Sequence, residues 1–161
     1  MPEDTFLDFI PDDTSRPWLV RTFTSREEKR PREGGRVDWD RKEISFRSGS
    51  TPERTGQILR HEIGHVQHPH NKMGVPGSSG DILSEEPLDF AGEFSFMARD
   101  VGNSVYGELL ASYFSLDIDP KDDLNRGHII KQKKNLLDVG FPKAVVSRLD
   151  KQARERVGYT G

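Results

Sequence analysis

The segment His61-Glu62-Ile63-Gly64-His65 sets two imidazoles four residues apart, with a carboxylate directly after the first. Residues four apart on a helix lie on one face, one turn apart, so the two rings can share one ion. Glu62 then stands beside the ion rather than on it, where its carboxylate can take a proton from the water the ion activates. The chemistry this allows is metal-assisted hydrolysis. The chain has no cysteine, so a metal must be held by His and carboxylate side chains, a donor set that suits Zn2+. A catalytic zinc takes three protein ligands and keeps one position open, so a third ligand has to come from elsewhere.

The elements around the segment are suited to positioning it. Thr51 is placed as an N-cap, Pro52 at the first helical position and Glu53 in the first turn, which predicts a helix over 52–67 that Pro69 stops. On that helix Ile58, His61, Glu62 and His65 share one side, while Leu59, Ile63 and Val66 can face a core. Gly64 leaves room beside the metal. Upstream, residues 18–24 alternate as a strand, and 26–35 form a charged loop ending in glycine. Val37 and Trp39, a turn at Asp40-Arg41-Lys42, then Ile44 and Phe46 read as a β-hairpin. Its Ile44-Ser45-Phe46-Arg47 strand is the candidate edge for an extended substrate. Residues 68–83 are a Gly/Pro/Ser-rich loop. Phe90, Phe94, Met97 and Val101 recur at helical spacing, and a separate helix from Tyr106 to Leu116 begins after Gly102-Asn103. Two basic helices, 124–139 and 142–157, follow Pro120.

Three places can supply the third ligand. A His six residues after His65 would complete the metzincin pattern, but Asn71 stands there and His68 replaces the expected glycine. His70, in the run His68-Pro69-His70, can still ligate if the loop bends toward the metal. Glu93 is a carboxylate on the Phe90–Val101 helix. Glu108 lies on the Tyr106–Leu116 helix, 43 residues after His65. A second electrophile for a tetrahedral oxyanion can come from Tyr106, Tyr113 or His128.

The His-Glu-x-x-His helix is similar to that of the zincins, and a downstream helical Glu is the gluzincin arrangement. Glu108, Ala111 and Phe114, closed by Pro120, resemble the Glu-x-x-Ala-Asn-x-Phe-Ala segment of the ImmA/IrrE family. Ser50-Thr51-Pro52-Glu53-Arg54 leading into Leu59-Arg60-His61-Glu62-Ile63-Gly64-His65 resembles that family's approach to its metal helix. The likeness covers roughly residues 36–120. It implies His61, His65 and Glu108 as zinc ligands, Glu62 as general base, and cleavage of a specific protein such as a regulator. Ser112 departs from it, standing where the family often has Asn, and a hydroxyl is a weaker orienter of a ligand His. The His68-Pro69-His70 run also resembles the His-Gly-Pro-His of a group of DNA-repair-associated proteases, one residue shorter.

The predicted fold is α+β: a small zincin-like domain whose short antiparallel sheet or hairpin packs on the active-site helix and a Glu-bearing helix, with C-terminal helices. Its 161 residues fit one domain. Residues 1–16 read as an N-terminal arm in which Phe6, Phe9 and Ile10 can dock, 17–120 as the catalytic core and 121–161 as a helical extension. A formal charge of −3 gives no broad attraction to nucleic acid or anionic lipid. The absence of a signal-like start and of any membrane-length apolar run points to a cytoplasmic protein without a membrane partner. The expected activity is zinc metalloendopeptidase action on a protein or peptide. The competing classes are a metal-binding module for protein or nucleic acid, with a structural or decayed site, and a latent protease covered by its own loop or C-terminal segment.

Overall fold

The computed structural model describes residues 4–7, 18–23, 34–47, 51–75, 77–85, 88 and 94–161. Most of the expected N-terminal arm, the loop at 26–33 and the stretch that holds Phe90 and Glu93 lie outside them. The chain has the expected α+β class. Four strands, β1 (Asp4–Leu7), β2 (Trp18–Phe23), β3 (Gly35–Asp38) and β4 (Glu43–Arg47), precede four helices. These are α1 (Pro52–Gln67), α2 (Phe96–Ile118), α3 (Asp123–Asp138) and α4 (Lys143–Val157), with a short 3-10 turn at Ile82–Ser84. Among the described residues no helix is long and apolar enough to cross a membrane.

The sheet order is β1-β2-β4-β3. β3 and β4 form the expected antiparallel hairpin, but β2 joins β4 in parallel, so the sheet is mixed. This corrects the assignment of the substrate edge. β4 is an interior strand with β2 on one side and β3 on the other, and Ile44, Ser45 and Phe46 are buried. Among the described residues, the sheet edge beside α1 is β3. Part of the stretch read as an arm also joins the sheet, because Asp4–Leu7 pairs antiparallel with Trp18–Arg21.

α1 forms where its signals place it. The Thr51 hydroxyl accepts the Arg54 amide at 3.2 Å, and Pro52 opens the first turn. Val66, with the half-buried Ile58, Leu59 and Ile63, packs under Trp18, Val20, Ile44 and Phe46 to make the smaller of two cores. α2, α3 and α4 enclose the larger one, built on Leu109, Leu110, Leu116, Leu136 and Leu149. Removing such apolar surface from water contributes roughly 25 cal/mol per Å2, so the C-terminal helices are part of the body that carries α2.

The expected break at Gly102-Asn103 is absent: α2 runs without interruption from its Ser95 cap, which accepts the Ala98 amide at 3.2 Å. Both residues are buried. A Cβ on Gly102 would come 3.2 Å from the Phe141 ring. The Asn103 amide donates to Arg99 O at 3.1 Å and Asp81 Oδ1 at 3.0 Å, and its oxygen accepts Ile82 N at 2.9 Å. Tertiary packing and side-chain hydrogen bonds thus outweigh the local helix-breaking tendency of this pair.

Candidate metal centre

α1 presents His61 and His65 on one face, and α2 crosses that face at very short range. A Cβ on Gly64 would sit 2.8 Å from Ala111 Cα and 2.9 Å from its carbonyl oxygen. The room that Gly64 makes is therefore filled by the α2 backbone rather than by a metal. That close crossing carries Glu108 over the two histidines. Glu108 Oε2 is 2.7 Å from His61 Nε2 and 3.3 Å from His65 Nε2. One ligand atom from each of the three lies within 4.8 Å of the others, a group able to hold a metal ion. Donors roughly 2.0–2.2 Å from a tetrahedral ion stand about 3.3–3.5 Å apart, so modest spreading of these side chains admits one.

The metal-free side chains pair with one another. Burial works against a charge on His61, but the hydrogen bond and charge of Glu108, aided by Glu62 and Asn125, raise its pKa to about 9. Burial likewise disfavours the Glu108 carboxylate, yet hydrogen bonds from His128, His61 and His65 hold its pKa well below the usual range. An imidazolium–carboxylate pair results. A metal entering here displaces that proton.

Glu62 is buried next to the β3 edge of the sheet. A Cβ on Gly35 would meet its Cγ at 3.0 Å and its Oε1 at 3.1 Å, so the strand passes directly over this carboxylate because it has no side chain there. A cleft of about 420 Å3 opens above His61, Glu62 and Glu108. Gly34, Gly35 and Ile58 form one wall, and Leu124, His128 and Lys131 of α3 form the other.

The remaining candidates separate clearly. His128 belongs to the site, with Nε2 3.1 Å from Glu108 Oε2 and its ring edge-on to His61 at 5.0 Å between centroids. Tyr106 and Tyr113 are not brought to it. Tyr106 is buried against the His70 ring, and the Tyr113 hydroxyl donates to Asp150 inside the helical core. His70 is neither solvated nor free to ligate: Nε2 is bonded to Asn103 Oδ1 at 2.8 Å and Nδ1 to Ser79 Oγ at 2.5 Å. His68 caps α1 near the Phe114 ring. Glu93 lies outside the described residues.

Two residues behind the metal face matter as well. Ser112 reaches His61 Nδ1 at 3.2 Å, as its position suggested. Asn125, at 2.8 Å from the same nitrogen, has no counterpart in the sequence reading. The signal available for it was slight: an Asn in the first turn of a helix looks like capping chemistry.

Compared with known proteins, the chain matches no protein-family profile, no curated protein and no solved structure. Its likeness to the ImmA/IrrE segment therefore stays at the level of motifs.

Proposed function

We propose that this protein is a zinc-dependent metallopeptidase that hydrolyses peptide bonds in a protein substrate. The observation that carries the reading is the arrival of the Glu108 carboxylate, from a different helix, at the point where His61 and His65 converge. Two imidazoles and one carboxylate are a donor set used by catalytic zinc, and it leaves a position open. When bound, zinc supplies Lewis acidity toward a carbonyl and acidifies water to near neutrality.

The chain's own residues account for the other parts of the reaction. Glu62 is the base, sheltered in the cleft floor next to the metal face, and it hands the proton on to the departing amine. His128, facing the same cleft from α3, is placed to donate to oxygen as negative charge develops. β3, the edge strand above Glu62 among the described residues, can align an extended peptide by main-chain hydrogen bonds. The motif likeness to ImmA/IrrE adds a narrower proposal, that the substrate is a specific regulatory protein; this rests on analogy.

The proximity of His128 to Glu108 also favours one second reading. If His128 serves as a fourth protein ligand, the site is closed and structural, and the protein is a binding module. Glu62→Gln separates the two. The metallopeptidase reading expects this variant to keep one zinc per chain and to lose cleavage of a protein or peptide-library substrate by at least about 1,000-fold. Full activity in the variant would overturn the assignment.

A further inference from the structure

We infer that Asn125 of α3 is the positioning residue that commits His61 to metal binding through Nε2, so that α3 is a structural part of the metal centre. The inference rests on the metal-site reading above and adds to it a residue from outside both motif-bearing helices. Asn125 Oδ1 lies 2.8 Å from His61 Nδ1. An amide oxygen only accepts, so His61 keeps a hydrogen on Nδ1, and once the Nε2 proton shared with Glu108 is displaced the lone pair that a metal needs lies on Nε2.

The amide cannot be turned round. Asn125 Nδ2 donates to Asp122 Oδ2 at 2.6 Å and to the Gln57 carbonyl at 3.2 Å. The opposite orientation would set an oxygen against a carboxylate and a carbonyl. Asp122 is itself fully buried and held in place, accepting the Ser115 hydroxyl at 2.6 Å and lying 3.4 Å from Arg60 Nη2. The direction of every bond from Arg60 through Asp122 to Asn125 is thus fixed. Ser112 also touches His61 Nδ1, at 3.2 Å, but a hydroxyl can donate as readily as accept and so dictates no tautomer. The orienting work that the position of Ser112 suggests falls to Asn125, 64 residues beyond His61 in the chain.

The test uses the full-length chain and reads metal binding rather than cleavage. Zinc affinity is measured by chelator competition for wild type, Asn125→Leu, Asn125→Asp and Ser112→Ala, with circular dichroism of each metal-free protein. Asn125→Leu is expected to weaken zinc binding 10–100-fold, the usual cost of removing a partner of a ligand His. Asn125→Asp keeps an acceptor toward Nδ1 but sets its other oxygen against the Asp122 carboxylate and the Gln57 carbonyl, so it should recover only part of the loss, whereas Ser112→Ala should shift affinity by less than about threefold. Nitrogen NMR of the zinc-loaded wild type, which needs no variant to fold, should show His61 protonated on Nδ1 and bound through Nε2. Ligation through Nδ1, or wild-type affinity in Asn125→Leu, would overturn the assignment while leaving the metal site intact. Failure of the wild-type chain to bind zinc would instead overturn the metallopeptidase reading, and this inference with it.

Discussion

Glu108 Oε2 has His61, His65 and His128 around it at 2.7, 3.3 and 3.1 Å. One oxygen serves three imidazoles, so this side chain organises the site even before a metal enters. Glu108→Ala is expected to lower zinc affinity by at least about 100-fold while leaving His61 and His65 on an intact α1. Chelator competition reads it directly, and unchanged affinity would exclude Glu108 as a ligand. His61, Glu62 and His65 were legible in the sequence because their relation is local to one helix. Tyr106 and Tyr113 were misplaced for a reason of helix phase. At about 100° per residue they lie roughly 160° and 140° round α2 from Glu108, so they face the helical core when Glu108 faces α1. Asn125 was not legible, since its partner is set by how α3 docks and by no spacing within α3.

Helix α1 was readable to its boundaries because capping, proline and periodicity all agree there. α2 was not, because what keeps Gly102 and Asn103 helical comes from Phe141, Asp81 and Ile82 in other parts of the chain. The strand order was equally hidden. A hairpin is a local pattern, whereas the parallel pairing of β2 with β4 is a long-range event that buries the strand expected at the edge. The crossing of α1 over α2 makes the sharpest expectation at this scale. Gly64→Ala improves helix propensity by about 1 kcal/mol, yet its methyl would lie 2.8 Å from backbone that no rotamer change can move. A net loss of about 1–3 kcal/mol in urea unfolding is expected, with weaker zinc binding because Glu108 moves away from the histidines. A variant as stable as wild type would contradict the close crossing.

Across the molecule, the segment from Pro69 to Asp81 is fastened to the helical core through a polar cluster. Arg156 of α4 donates to Pro69 O at 2.9 Å, to Gly77 O at 3.1 Å and to the Ser79 hydroxyl, and His70 bridges Ser79 to Asn103 of α2. The sequence shows this stretch only as a Gly/Pro/Ser-rich loop, because its anchors come from helices far along the chain. Burial depresses the His70 pKa to about 4, and the charges of Arg156 and Lys72 add to this against the pull of Asn103. The folded protein therefore refuses a proton that the unfolded chain accepts below about pH 6.5. The stability contributed is full above pH 6.5 and is lost as pH falls toward 4, amounting to about 1–3 kcal/mol. Unfolding of wild type and His70→Gln at pH 7 and pH 4.5 checks it. The difference between the two proteins should narrow at the lower pH, and a constant difference would contradict a neutral, buried His70. Residues 121–161, read from the sequence as an extension, carry ten Lys and Arg against five Asp and Glu. The structure makes them one wall of the cleft as well as the source of seven of the sixteen buried residues in the larger core.

The proposed three-ligand zinc site, with a position left open for chemistry, is checked in the coordination sphere of the zinc-loaded protein. A crystal structure with anomalous scattering at the zinc edge should place one ion on His61 Nε2, His65 Nε2 and a Glu108 oxygen, with a water in the remaining position beside Glu62. An ion closed off by His128 as a fourth protein ligand, or completed by Glu93 instead of Glu108, would contradict it.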